Sequence, residues 1–288
     1  MLTDLNISFA ILNGYPKKSR ERFDNEDVGH PHDLFMDAVR RFIPDARFDV
    51  IFIADMDQTI PAGANLNSYD AYIWTGSDLT IYHHDDERVT RQIELSRVIF
   101  EAGVPSYGSC WGIQMAVMAY GGEVKSNPNG REWSIARDIR LTDAGKQSLL
   151  LQGKPDVFDG FIMHLDEVTT LSPGTTLLAT NEHTHVQAAE VKYLNGTFWA
   201  TQYHPEYNLH EMARLIRARA HPLVREGFFE TVEDVAEYAN NMFALAQNPD
   251  AENLREKFNV SDDILNADIR QLELQNWLEH LVLPSLSR

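Results

Sequence analysis

Apolar positions follow one spacing in the first part of the chain, another in the middle and a third at the end. In the first part, unbroken apolar runs alternate with helical periodicity. Ile7-Ser8-Phe9-Ala10-Ile11-Leu12 ends at Asn13-Gly14 and predicts a buried strand. A charged, polar loop is expected from Tyr15 to His30. Pro31 then opens a helix through Leu34, Phe35, Ala38, Val39 and Phe42, which stops before Pro44. Residues 48–53 and 69–74 read as the next strands. Helical spacing returns from Glu87 to Ala102 through Val89, Ile93, Val98 and Ile99. A short strand is expected at 104–107, and a buried helix runs from Ile113 to Tyr120 and stops at Gly121-Gly122. Strands alternating with helices imply parallel crossovers and a sheet covered on both faces. Ligands of such sheets bind at the carboxyl ends of the strands.

From Gly122 to Gln202 the spacing shortens to alternating runs at 138–141, 168–171, 176–179, 186–189 and 197–202. Ser172-Pro173-Gly174 and the hairpin signal Asn195-Gly196 separate some of them. These runs predict an antiparallel extension of the sheet. From Asn208 the pattern is almost wholly helical. Thr231-Val232-Glu233-Asp234 and Ser261-Asp262-Asp263 are N-terminal capping signals. The helix after the second is expected to carry Ile264, Leu265, Ile269, Leu272, Trp277, Leu278 and Leu281 and to end before Pro284. The expected organisation is an α/β domain at 1–208 and a helical C-terminal extension at 209–288. The apolar faces of that extension are expected to pack on the chain's own core, with a docking or homodimer surface as the alternative.

Composition narrows the functional classes. The chain has 288 residues and a hydrophobic fraction of 43%, enough for a sizeable core. Its formal net charge of -18 argues against nucleic acid, since a binder needs a basic face to displace counterions. No apolar run is long enough to span a membrane, and Met1-Leu2-Thr3-Asp4 lacks the basic start of a signal peptide. Cys110 is the only cysteine, which excludes an intrachain disulfide and fits a reducing compartment. The expectation is a soluble, cytoplasmic protein.

That cysteine sits in Gly108-Ser109-Cys110-Trp111-Gly112-Ile113-Gln114, between an expected strand and an expected helix. Gly-x-Cys-x-Gly at such a junction is the sulfur version of a nucleophile elbow. The turn is so tight that its flanks must be nearly free of side chain, and the nucleophile is forced out at a helix N-terminus. The dipole and free N–H groups there favour thiolate, and the Trp111 N–H faces the place where an oxyanion would form. A base is supplied by Gln202-Tyr203-His204-Pro205-Glu206. On extended backbone His204 and Glu206 share one side, so the carboxylate can fix the imidazole tautomer and stabilise imidazolium.

Together these motifs resemble the class I glutamine amidotransferases, most closely the glutaminase domain of GMP synthetase and its stand-alone relatives. The resemblance runs from about Ile7 to His210. It includes Trp74-Thr75-Gly76-Ser77, similar to the family's oxyanion loop, and His164-Leu165-Asp166-Glu167-Val168, similar to a segment near its site. It implies a flavodoxin-like mixed sheet flanked by helices. It also implies that Cys110 attacks a γ-carboxamide carbon, His204 shuttles the proton and Glu206 orients His204. The N–H groups of Gly76 and Trp111 would hold the oxyanion, and Gln114 and Ser77 would contact substrate. The family's glutamine-binding backbone segment is matched loosely by Arg131-Glu132-Trp133-Ser134-Ile135, which makes Trp133 and Ser134 further substrate-binding candidates. The oxyanion loop reads Gly76-Ser77-Asp78 where a Pro usually stands third. No cofactor and no metal are implied. The implied substrate is L-glutamine or a γ-glutamyl amide. The implied reaction is glutamine hydrolysis that releases ammonia to a separate synthase, because residues after 208 are too few for a synthetase domain. A stand-alone γ-glutamyl amide or peptide hydrolase is the alternative, and a non-catalytic regulatory module the third reading.

Two other patterns carry less. Asp55-Met56-Asp57-Gln58-Thr59 resembles the loop of haloacid-dehalogenase-like phosphatases, but it follows the wrong strand and lacks partner residues. His30-x-His32, His83-His84 and His183-x-His185 form no closed zinc set, and exposed loop histidines are expected.

Overall fold

Parallel strands at the centre of one large sheet carry the loops that hold the candidate residues. The computed structural model describes residues 6–286; the Met1-Leu2-Thr3-Asp4 stretch lies outside them. β1 (Ser8–Leu12), β2 (Arg47–Ile51), β3 (Ala71–Trp74), β4 (Ser106–Ser109) and β11 (Gly196–Thr201) run parallel in the order β2-β1-β3-β4-β11. The sheet continues antiparallel through β10 (Ala188–Tyr193), β9 (Thr175–Thr180), β6 (Glu132–Leu141) and β7 (Val157–His164). The mixed sheet flanked by helices is the architecture the hydrophobic pattern predicted.

β1 reads as an unbroken apolar run because both of its faces are covered. Ala10 and Leu12 belong to one core with Tyr72 and Trp74, under α3 (Glu87–Ala102) and α4 (Trp111–Met118). Phe9 and Ile11 belong to the opposite core with Ile73 and Tyr107, under α2 (Pro31–Arg40) and the last helices, where Trp277 fills the space beside Phe9 and Tyr107.

Four expectations need correction. The polar stretch after Tyr15 holds α1 (Lys17–Asn25), whose apolar face is little more than Phe23, packed edge-on against Tyr15 at 4.9 Å. One aromatic anchor gives no readable periodicity. The run at 168–171 leaves the main sheet: β8 (Asp166–Thr170) pairs only with β5 (Glu123–Ser126). β6 and β7 went unread over most of their length. In β6 a bulge between Ala136 and Ile139, with Asp138 at φ +51°, breaks the alternation. In β7 Gly160 interrupts it, and that glycine lets Tyr203 approach to where a Cβ would lie 3.1 Å from the ring. Finally, the helix expected after Ser261 is a chain of short pieces. After α5 (Asp143–Gln147), α6 (Leu209–Ala218), α7 (Ala220–Arg225), α8 (Val232–Gln247) and α9 (Glu252–Phe258) come α10 (Asp262–Leu265), α11 (Ala267–Arg270) and α12 (Leu272–Trp277). A π-helical turn at Leu278–Val282 follows and passes into a last short piece, α13 (Leu283–Ser285). The run therefore continues through Pro284, which sits in a first turn where its missing N–H costs nothing, rather than ending before it. Ser261 makes no backbone cap and bonds Asp263 instead, whereas Asn266 caps the next piece through the Asp268 N–H. The box at Thr231 and Asp234 forms as expected.

The apolar faces of the C-terminal helices are occupied within the chain. α6 and α8 bury Met212, Ile216, Val235, Ala239 and Met242 in a third core with Phe23, Ile135 and Phe161. A buried polar anchor fixes the final helices: Lys154 Nζ lies 3.1 Å from Glu273 Oε1, with 2% and 0% of the side chains exposed. Tyr203 donates to the same oxygen at 2.6 Å. Glu273→Leu would strand the Lys154 charge in the core. We expect a loss of about 3–5 kcal/mol of unfolding free energy in urea titration, and a loss below about 1 kcal/mol would show that the ammonium finds water instead.

Candidate active site

The elbow has the geometry that its glycines foretell. Cys110 takes φ +54° and ψ −97°, a conformation rare for any residue with a Cβ, between the end of β4 and the start of α4. Its N–H donates to Thr201 O at 2.8 Å, which ties the elbow to the end of β11. A Cβ at Gly108 would lie 2.8 Å from the Gly112 Cα, and one at Gly112 would lie 3.3 Å from the Trp74 Cβ. Gly108 has no room for a side chain, and at Gly112 even a methyl would press on Trp74.

His204 follows β11 and is held by its own backbone N–H, which donates to Phe161 O of β7 at 2.8 Å. Its Nδ1 lies 2.7 Å from Glu206 Oε1 and 3.2 Å from Ser109 Oγ, and Ser109 Oγ donates to the same carboxylate oxygen at 2.7 Å. A carboxylate only accepts, so Nδ1 carries a hydrogen and Nε2 is the nitrogen left for chemistry. All three side chains are buried. Burial on its own would favour the neutral ring. The Glu206 charge and hydrogen bonding to Cys110 and Glu206 outweigh it and push His204 up to about 10. Ser109 lies inside the sequence motif, yet its part in this network was not read from it.

Gly76 follows β3, so it too stands at the carboxyl end of a parallel strand. A Cβ on it would lie 3.6 Å from His204 Cε1 and 3.1 Å from the Tyr15 hydroxyl. Among the described residues neither the Gly76 nor the Trp111 N–H has an acceptor within the chain. Both N–H groups are therefore free donors close to Cys110 and His204. Ser77 is committed to the loop itself: its Oγ donates to Gly14 O at 2.7 Å and accepts from the Leu79 N–H at 3.1 Å. Asp78, where a Pro is usual, accepts from Ser19 Oγ at 2.6 Å and Arg22 at 3.1 Å, so α1 holds this loop in place of a proline ring. The Trp111 indole lies in the core under the sheet and donates to Gln92 Oε1 at 3.0 Å.

One cavity joins Cys110, Trp111, Ser77, Gln114 and His204. Gln114 Nε2 donates to Asp166 O at 2.8 Å, and His164 Nδ1 lies 2.9 Å from the same oxygen. Behind His164 sits Glu132. Burial would raise its carboxyl, but hydrogen bonds and charge from His164, with bonds from Asn181 and Thr184, hold it below the usual carboxylate range. Trp133 and Ser134 are not brought to this cavity. Trp133 packs among Phe228, Phe229 and Tyr238, and Ser134 Oγ lies 3.0 Å from the Tyr238 hydroxyl. Ser134 has φ +65°, so the alternation that would aim this segment is broken just there. The wall instead comes from Met163, His164, Leu165 and Asp166, and from Tyr15, Tyr207 and Arg219, which no sequence motif marks.

The weaker patterns are accounted for structurally. Asp55 pairs with Arg20 at 2.6 Å and accepts from the Lys17 N–H. The histidines are not all exposed loop residues as expected. His83, His84 and His185 are exposed, but His30, His32 and His183 are half-buried. His32 lies within α2 and stacks on His30, and His183 Nε2 lies 3.1 Å from Gly130 O. Among the described residues no group of three or more His, Cys, Asp or Glu is placed to hold a metal ion, and no helix is long and apolar enough to cross a membrane.

The sequence matches the family described as Glutamine amidotransferase class-I over residues 82–221. It is 34% identical over 289 residues to a gamma-glutamyl-L-1-hydroxyisopropylamide hydrolase of Pseudomonas sp, covering 98% of this chain and 95% of that one. It is also 31% identical over 172 residues to a glutamine-hydrolyzing GMP synthase of Nitrosomonas eutropha, covering 58% of this chain but only 31% of the synthase. A glutamine amidotransferase structure from Thermotoga maritima shares the fold at a TM-score of 0.66 with 17% identity, covering 96% of this chain and 99% of that one. One from Methylobacillus flagellatus does so at 0.61 with 20% identity, covering 98% and 94%.

Proposed function

The chain belongs to the class I glutamine amidotransferase family, and from that premise we propose that it is a stand-alone hydrolase of γ-glutamyl amides with Cys110 as nucleophile. The observation that carries this reading over ammonia transfer is coverage. The likeness to a γ-glutamyl amide hydrolase spans both chains almost end to end, whereas the GMP synthase is matched over less than a third of its length.

In the proposed reaction Cys110 Sγ attacks the γ-carbonyl carbon, and the developing oxyanion takes hydrogen bonds from the Gly76 and Trp111 N–H groups. Removing one such donor typically costs roughly 3–4 kcal/mol of barrier stabilisation. The raised His204 is protonated at neutral pH and gives its Nε2 proton to the leaving amine. The C–N bond breaks and leaves a γ-glutamyl thioester. Water then attacks with His204 as base, glutamate departs and the thiol is restored. Ser109 and Glu206 keep Nδ1 protonated throughout. With Gln114 Nε2 held by Asp166 O, its Oε1 is left as the acceptor for the glutamyl α-ammonium.

The test is glutamate release by the purified full chain from L-glutamine and from N-alkyl γ-glutamyl amides. We expect kcat/KM to be at least tenfold higher for a substituted amide than for glutamine. Faster use of glutamine, or turnover only with a co-purifying synthase, would favour the ammonia-transferring glutaminase, a reading supported by the likeness to GMP synthases.

A further inference from the structure

Arg219 stands out among the charged residues of the cavity. Asp78 is paired with Arg22. Arg131 is bound by both oxygens of Glu226, at 2.7 and 2.9 Å. Among the described residues Arg219 has no ion-pair or side-chain hydrogen-bond partner, although the chain carries 43 Asp and Glu against 25 Lys and Arg. It is half-buried. Leu215 and Arg219 lie one helical turn apart and both reach the cavity, so the helical extension presents one face of α6 to the site. The C-terminal end of α6 favours a cation there. It supplies no anion, so the guanidinium's donors are left for a ligand.

The fold also says which end of a substrate meets this residue. The leaving nitrogen must receive the His204 proton, so the amine portion lies on the His204 side. Tyr207 packs edge-on against the His204 ring with centroids 4.7 Å apart, and the Tyr15 hydroxyl and that ring both lie against Gly76. Leu215, one turn before Arg219, packs in the same core as Tyr15 and Tyr207, which sets Arg219 beside this wall. Gln114, His164 and Asp166 line the cavity as a separate group joined through the Asp166 carbonyl oxygen.

Resting on the hydrolase reading above, we propose that Arg219 binds a carboxylate carried by the amine portion of the substrate, so that this site prefers γ-glutamyl amino acids over γ-glutamyl amides of uncharged amines. A guanidinium fork suits a carboxylate bidentately, and a hydroxyl would leave its charge unmatched.

The test measures binding, so it does not depend on turnover. γ-Glutamyl-L-alanine and γ-glutamyl-L-alaninol, which differ only in carboxylate against hydroxymethyl, are titrated calorimetrically into the full chain carrying Cys110→Ala. The same titrations follow with Arg219→Gln or Arg219→Lys added. We expect the alanine compound to bind more tightly, Arg219→Gln to weaken it by roughly 10–100-fold, and the alaninol compound to change by less than about threefold. Arg219→Lys should restore part of the loss. Equal binding of the two compounds, or equal weakening of both by Arg219→Gln, overturns the proposal; the second result would assign Arg219 to the glutamyl end. If the wild type turns over neither compound but the binding difference persists, the hydrolase reading fails and the assignment of Arg219 stands.

Discussion

Cys110→Ala is expected to lower turnover of γ-glutamyl amides by roughly 10⁴-fold or more, with a melting temperature within about 2 °C of the wild type. Alanine keeps the Cβ, so the backbone at φ +54° pays no new strain and gains no relief. The Cys110 N–H bond to Thr201 O does not involve the side chain and stays in place. The oxyanion donors and the cavity walls also remain, which is why a residual rate over water should survive. What disappears is the thioester route, since no other cysteine exists in the chain. The decisive measurement is a trap: rapid quench with a γ-glutamyl amide should leave a glutamyl mass adduct on the wild type and none on the variant. Turnover unchanged by the substitution would place the nucleophile elsewhere and remove the basis of the mechanism.

How much of this was legible follows from how far apart the determinants lie in sequence. Gly108, Cys110 and Gly112 are local, and the tight turn demands glycine at those offsets in any context. His204 and Glu206 are two apart, and their pairing is expected from extended backbone. But β11 ends at Thr201, and a turn, with the Tyr207 N–H donating to His204 O at 3.3 Å, is what sets the carboxylate beside the ring. Beyond Ser77, Gln114 and the segment at His164–Asp166, the wall of the cavity could not be read. Tyr15 is placed by α1, a helix with one apolar anchor, and Arg219 by α6 folding back after the Glu206 turn. Trp133 and Ser134 illustrate the opposite error. Local likeness put them in the site, while the positive φ at Ser134 and the aromatic cluster under α8 take their side chains elsewhere. Motif reasoning names candidates for the reacting atoms because such a reaction would constrain them locally. Tertiary packing selects the residues that would choose the substrate.

Glu206→Gln should show whether the carboxylate does more than hold a ring in place. Glu206 Oε1 accepts from both His204 Nδ1 and Ser109 Oγ, and its other oxygen is buried without a partner among the described residues. A glutamine fits the space and can keep one of those bonds, so the fold should persist, as thermal melting would verify. Its charge is gone, however, and its amide can turn a donor toward Nδ1 and impose the wrong tautomer. By the size of effect seen when a triad carboxylate is made an amide, kcat should fall by roughly 10³–10⁴-fold. The pH profile separates orientation from charge. With His204 raised to about 10, the imidazolium that must protonate the leaving amine persists through neutrality, and wild-type kcat/KM should decline only as pH rises through that value. The Glu206 charge is a principal cause of the rise, so in Glu206→Gln the alkaline limb should move to lower pH. Ser109→Ala removes a second bond to the same oxygen but no charge, and should lower kcat far less without shifting the limb. An alkaline limb that stays in place in Glu206→Gln would mean that Glu206 acts through geometry alone, and that the proton on His204 owes its persistence to Cys110.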